Sequence, residues 1–230
     1  MKKRPSLPQL SGREIRLGLL YLLSELLVIP PIIYGIGDLL GGFSPAFANF
    51  LYYLCNAGFC LLIFRELLAQ SLRQAGSRPL RFLLAALVGF AGFELSAELN
   101  QFLLRYLAPD FFNVNDASLR GMIMQAPALL LLGTVLLAPM AEECLFRGLL
   151  FLPLRQKCPW LGYAVSALCF CAVHVIGYWG AYPAGTLLLC FFQYLPAGLL
   201  LAWALDYSGS LFAPMLIHSA VNLLSFLSMR

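Results

Sequence analysis

The feature that limits this chain most is a repeated one: seven apolar runs, each close to the length that crosses a bilayer, with few charges inside them. They span residues 17–37, 46–68, 80–103, 126–146, 161–179, 186–205 and 211–227. A hydrocarbon core is crossed by about 20 residues of helix. Within it the backbone has to satisfy its own hydrogen bonds, which makes each run a helix. Barrel strands would be shorter and would alternate apolar with polar residues, and these runs do not. The first run holds Glu25 and the pair Pro30-Pro31, so a kink or an early stop is expected there. The fold class is therefore all-α, a polytopic transmembrane bundle of about seven (six to eight) helices.

Composition excludes the alternatives. Hydrophobic residues make up 61% and charged residues 11% of the 230, where a soluble domain carries about a quarter charged. In water such a chain would expose large apolar patches. The length suits a single transmembrane domain over 1–230, with the chemistry-bearing part at about 126–227.

Basic residues orient the bundle, because Lys and Arg collect on the cytoplasmic side. Lys2, Lys3, Arg4, Arg13 and Arg16 precede the first run. Arg65, Arg73, Arg78 and Arg81 surround the second connection, and Arg147, Arg155 and Lys157 follow the fourth run. With the N-terminus cytoplasmic, these all share one face, and Arg105, Arg120 and Arg230 lie opposite. The net charge of +4 thus reflects orientation, and no nucleic-acid partner is expected. The basic start resembles a signal peptide but lacks a small-residue cleavage site, so it reads as a retained helix. No CxxC pair occurs among the seven cysteines. Most lie in apolar runs, where Cys behaves as a small hydrophobe. The stretches 70–78 and 109–120 read as polar loops.

Polar groups inside apolar runs carry the information, since a charge at mid-bilayer costs about 2.5–3.5 kcal/mol and needs a partner or a task. At the end of the fourth run stand Glu142, Glu143 and Arg147. Glu143 and Arg147 are i, i+4 with the acid first, the favourable order for a pair, and Glu142 points about 100° away. An ordinary helix end with snorkelling charges would look the same. Both histidines of the chain, His174 and His218, lie in apolar runs, with Asn222 one turn after His218. Singly, a buried His is most often a hydrogen-bonded core residue. Together they are most economically satisfied in one polar cavity holding Glu142, Glu143, Arg147, His174, His218 and Asn222.

A carboxylate beside an imidazole can hold and deprotonate water, and a second imidazole with an amide can donate to an oxyanion. Alternatively, Glu142, His174 and His218 can hold a metal such as zinc with a position left for water. Both schemes suit amide hydrolysis. A serine mechanism is weaker, since Ser24, Ser166, Ser219 and Ser225 lack a GxSxG-like setting, and no HExxH is present.

Glu142-Glu143-xxx-Arg147, Phe170-xxx-His174 and His218-xxx-Asn222 resemble the three motifs of CPBP-family intramembrane proteases, which include CAAX prenyl endopeptidases and Abi-type proteins. Gly209 to Pro214 is similar to the approach to the third motif. The resemblance covers residues 139 to 222. It implies a membrane endopeptidase in which Glu142 is the general base and His174 its partner. By the same resemblance His218 and Asn222 stabilise the oxyanion, and Glu143 and Arg147 hold the site in shape. It leaves open whether water is activated by glutamate alone or by a metal.

The expected partners are membrane lipid and a lipidated or membrane-embedded peptide, in a bacterial inner membrane. Two other classes compete. One is a non-catalytic membrane scaffold on the same fold. The other is a small transporter with Glu94, Glu98 and Glu142 as a proton path, for which matching broken halves would be expected. Glu94 and Glu98 read as the wet end of the third run and Glu25 as a packing contact. Asn100, Gln125 and Gln193 read as interhelical donors, and residues 191–194 as lipid or helix packing.

Overall fold

In the computed structural model, residues 7–229 are described, so Lys2, Lys3, Arg4 and Arg230 lie outside the described residues. Ten helices follow one another among them: α1 (Gly12–Leu27), α2 (Ile29–Leu39), α3 (Pro45–Ile63), α4 (Arg65–Ser77), α5 (Pro79–Leu107), α6 (Val114–Gln125), α7 (Pro127–Lys157), α8 (Pro159–Ile176), α9 (Ala184–Ser208) and α10 (Phe212–Met229). Six are long and apolar enough to cross a membrane, and the bent pair of α1 and α2 makes a seventh. The bend is 46° and falls immediately before Pro30-Pro31, where the missing amide hydrogens break the ladder.

Local chemistry sets the boundaries. Ser11 and Glu14 form a reciprocal capping box at the start of α1. Glu14 Oε1 also accepts from Leu67 N at 3.0 Å, so one buried carboxylate serves an orphan amide at the start of α4 as well. Gly18 allows this approach, because a Cβ there would lie 2.8 Å from the Phe64 ring. Proline opens α2, α3, α5, α7 and α8 at the first or second helical position, where no amide partner is lost. Gly209 ends α9 with φ +78°, the left-handed cap that glycine adopts freely.

Of the two stretches read as loops, 70–78 is helical up to Ser77 and 109–120 from Val114 onward, with 109–113 irregular as expected. Residues 70–77 continue α4, whose Leu67, Leu68 and Ser71 are buried. Residues 114–125 form α6, capped by Asn113 Oδ1 on Asn115 N and Asp116 N. Polarity there marks amphipathic helices, not irregular chain. The fourth run also extends beyond residue 146 to Lys157. Arg147 does not end it in a loop, because this residue is fully buried and its charge is met inside.

The helix α7 is the axis of the bundle. Of its most apolar window 61% is buried, against 17–39% for the other spans. It contains two π-helical stretches, Leu131–Leu137 and Glu143–Phe151, a geometry that frequently marks functional positions. The helices α8 and α9 cross backbone against backbone. A Cβ on Gly198 would sit 2.9 Å from Ala167 Cα. At one end of the bundle Arg155 Nε donates to both Asp206 oxygens at 3.1 and 3.0 Å, and Arg81 stacks on Tyr207. Arg81 and Arg155 thus share the end of the bundle where α5 begins and α7 and α9 end.

Candidate active site

The central helix delivers the acidic pair into the core, and α8 and α10 bring one imidazole each. Glu143 Oε1 accepts from Arg147 Nη1 at 3.1 Å, and both side chains are fully buried. The other arm of the guanidinium donates to Gly198 O at 3.1 Å, which the tight α8–α9 crossing holds within reach. Its plane lies 4.4 Å over the Phe170 ring. Arg147 is therefore clamped by a carboxylate, a carbonyl and a π face.

Two hydrogen bonds fix the imidazoles. His174 Nδ1 stands 2.8 Å from Phe170 O. A carbonyl only accepts, so Nδ1 carries the hydrogen. His218 Nδ1 stands 2.9 Å from Glu143 Oε1, an oxygen already charge-paired with Arg147, so here too Nδ1 is the donor. In its neutral form each ring then turns an unprotonated Nε2 towards the cavity. These two nitrogens lie 4.0 and 3.9 Å from the same atom, Glu142 Oε2. That oxygen is buried and has no hydrogen-bond partner. Both imidazoles thus face one carboxylate oxygen.

The spacing suits a bridging water. Hydrogen bonds of about 2.8 Å span two atoms 3.9–4.0 Å apart at an angle near 90°. A zinc ion with bonds of about 2.0–2.1 Å would need an N–metal–O angle near 150°, far from tetrahedral. Among the described residues no three His, Cys, Asp or Glu side chains stand at metal-holding spacing. As they are placed, Glu142, His174 and His218 do not fit a zinc ion.

All three face a cavity of about 500 Å³, which Asn222 also lines. Asn222 Nδ2 donates to Thr134 O at 2.8 Å. Glu143 and Arg147 stand behind this wall. The structure brings all six sequence-derived residues together, four on the cavity and two supporting it.

Sequence reasoning missed other residues. Glu25 lines the cavity; it is more than the packing contact expected. Tyr194 also lines it, with its ring 4.3 Å from His174, where residues 191–194 read as lipid or helix packing. A tyrosine hydroxyl in an apolar run was the available signal. Of the expected interhelical donors only Gln193 takes part, and it accepts, from Asn113 Nδ2 at 2.8 Å. Glu94 and Glu98 do not line the cavity, and Glu98 is exposed. Ser166 commits its hydroxyl to Phe146 O at 2.9 Å.

Residues 124–224 match the family model described as type II CAAX prenyl endopeptidase, Rce1-like. The match begins just before α7 and ends within α10, so it contains the whole glutamate–histidine cluster. It leaves out α1 to α5, and Glu25 with them. No curated protein and no solved structure matches the chain.

Proposed function

Since residues 124–224 match the type II CAAX prenyl endopeptidase (Rce1-like) family model, we propose that the chain is an intramembrane endopeptidase that cuts a lipidated or membrane-embedded peptide with a glutamate-activated water. The observation that carries this reading is that two imidazole Nε2 atoms from different helices lie 4.0 and 3.9 Å from one buried carboxylate oxygen, Glu142 Oε2. A water there donates its hydrogens to Glu142 and His174. Both groups draw proton density from the oxygen that attacks.

In the first step the water oxygen bonds to the scissile carbonyl carbon and its proton passes to Glu142. The carbonyl π electrons move to oxygen, giving a tetrahedral oxyanion. His218 faces the same cavity with its ring held through Nδ1 by Glu143, and a hydrogen on its Nε2 would be directed at that charge. Asn222 has a second amide hydrogen not used on Thr134 and faces the same cavity. Such preorganised donors stabilise an oxyanion more than they stabilise a carbonyl. The C–N bond then breaks, and the leaving amine takes the proton from Glu142.

Incubating the reconstituted protein with a panel of lipidated and membrane-inserting peptides, read by mass spectrometry, tests the proposal. Wild type is expected to cut at least one peptide, with and without a chelator, and Glu142→Gln none. Cleavage retained by Glu142→Gln would overturn the assignment of the base. Loss on chelation alone would overturn the metal-free scheme.

A further inference from the structure

The charge lining the cavity is one-sided. Glu25, Asp116 and Glu142 all line it, and among the described residues no lysine or arginine does. Glu142 has two imidazoles to face. Glu25 has no such partner. Its side chain is only 8% exposed. Its Oε1 accepts from Tyr52 Oη at 3.0 Å and Asn56 Nδ2 at 3.5 Å, both neutral donors from α3. No lysine or arginine is among these partners.

A glutamine would hold Tyr52 equally well without bringing a charge into the membrane. A buried carboxylate without a counter-charge is costly, and the cost is relieved when a cation arrives beside it. The wall around Glu25 suits one. Tyr34, Tyr52 and Tyr53 line the same cavity, Tyr52 in contact with Glu25, and tyrosine rings attract ammonium and guanidinium groups. Glu142 adds a second carboxylate to the same cavity; its unbonded oxygen is the one assigned above to the attacking water.

We infer that Glu25 is a recognition site for a positively charged group of the substrate, the ammonium or guanidinium of a Lys or Arg side chain or a free N-terminal amine. The inference rests on the peptidase reading for the identity of the ligand as a peptide. Glu25 is a specificity residue here and takes no part in the proton transfers at Glu142. Its position on α1 also lets recognition vary independently of the motifs on α7, α8 and α10.

Binding without turnover tests this. The full chain carrying Glu142→Gln is placed in lipid nanodiscs at about pH 8, above the ordinary glutamate range. Fluorescence anisotropy then follows labelled apolar decapeptides, acetylated and amidated, whose central residue is lysine, norleucine or glutamate. A norleucine peptide with a free N-terminus separates the two sources of the cation. The lysine or free-amine peptide is expected to bind about ten-fold tighter than blocked norleucine, and the glutamate peptide weaker than either. Glu25→Gln is expected to erase the preference and keep the norleucine affinity within about two-fold. Equal binding of the blocked lysine, norleucine and glutamate peptides and the free-amine peptide would overturn the inference even if Glu25→Gln did not fold. A preference surviving Glu25→Gln would overturn it too. Cleavage is measured separately on wild type, so a chain that binds cations without cutting refutes the peptidase and leaves this site standing.

Discussion

Asn222 Nδ2 donates to Thr134 O at 2.8 Å, and the carbonyl it serves has been orphaned by a proline. In the π-helical stretch Ala138 N bonds to Gly133 O, five residues back. In the same register Thr134 O would await the amide of residue 139, which is Pro139 and has none. The third motif thus repairs the backbone of α7 ahead of the first, and α10 is tied to α7 eight residues before Glu142.

Asn222→Leu leaves that carbonyl unpaired and is expected to destabilise the protein by about 1–3 kcal/mol. In a Pro139→Ala background residue 139 regains an amide, so the same substitution is expected to cost measurably less. Thermal unfolding of the four proteins in detergent gives the coupling. Strict additivity would refute the link between Pro139 and Asn222.

Arg147 and Glu143 are both fully buried. Arg147→Met strands the Glu143 charge, and a loss of about 3–5 kcal/mol is expected, as for other buried pairs broken on one side. The double variant Glu143→Gln with Arg147→Met removes both charges and is expected to recover much of that loss. Denaturant or thermal melts decide it, and a double variant no more stable than Arg147→Met would count against the pair.

The imidazole nearest the general base is expected to matter through kcat. His174→Ala removes the acceptor 4.0 Å from Glu142 Oε2, and a loss of about 10²–10⁴-fold in rate is expected. Tyr194→Phe keeps the ring against His174 and is expected to cost far less than Tyr194→Ala. The kinetics are read on the first peptide that wild type cuts.

Asp116 lies on α6, outside the spans, and burial pushes its carboxyl from the ordinary value of 3.8 up to about 6. The folded chain therefore holds this proton more tightly than the unfolded one. Stability from this group is full below pH 3.8 and is lost as pH rises through about 6. Asp116→Asn is expected to melt higher than wild type at pH 7 to 8, with the gap closing towards pH 4. A gap that widens on acidification would show that Asp116 has a cationic partner.

The sequence by itself determined the helices and the chemistry-bearing residue types. Lipid offers the backbone no partners, so apolar runs of this length have one solution. Glu143 and Arg147 pair within one helix, so their contact was legible from spacing alone. The bend at Pro30 was legible for the same reason, because the cause is local. Only the tertiary structure decided that Glu142 Oε2 would lie between two imidazoles from different helices, and that Gly198 O and the Phe170 ring would close around Arg147. It alone also brought Glu25, more than a hundred residues away in the chain, to the wall of the same cavity. Hydropathy records that a charge is buried and leaves its neighbours unspecified. Those depend on which helix faces meet, and in lipid that is settled by close packing of small residues such as Gly198 and Ala167 and by interhelical polar contacts.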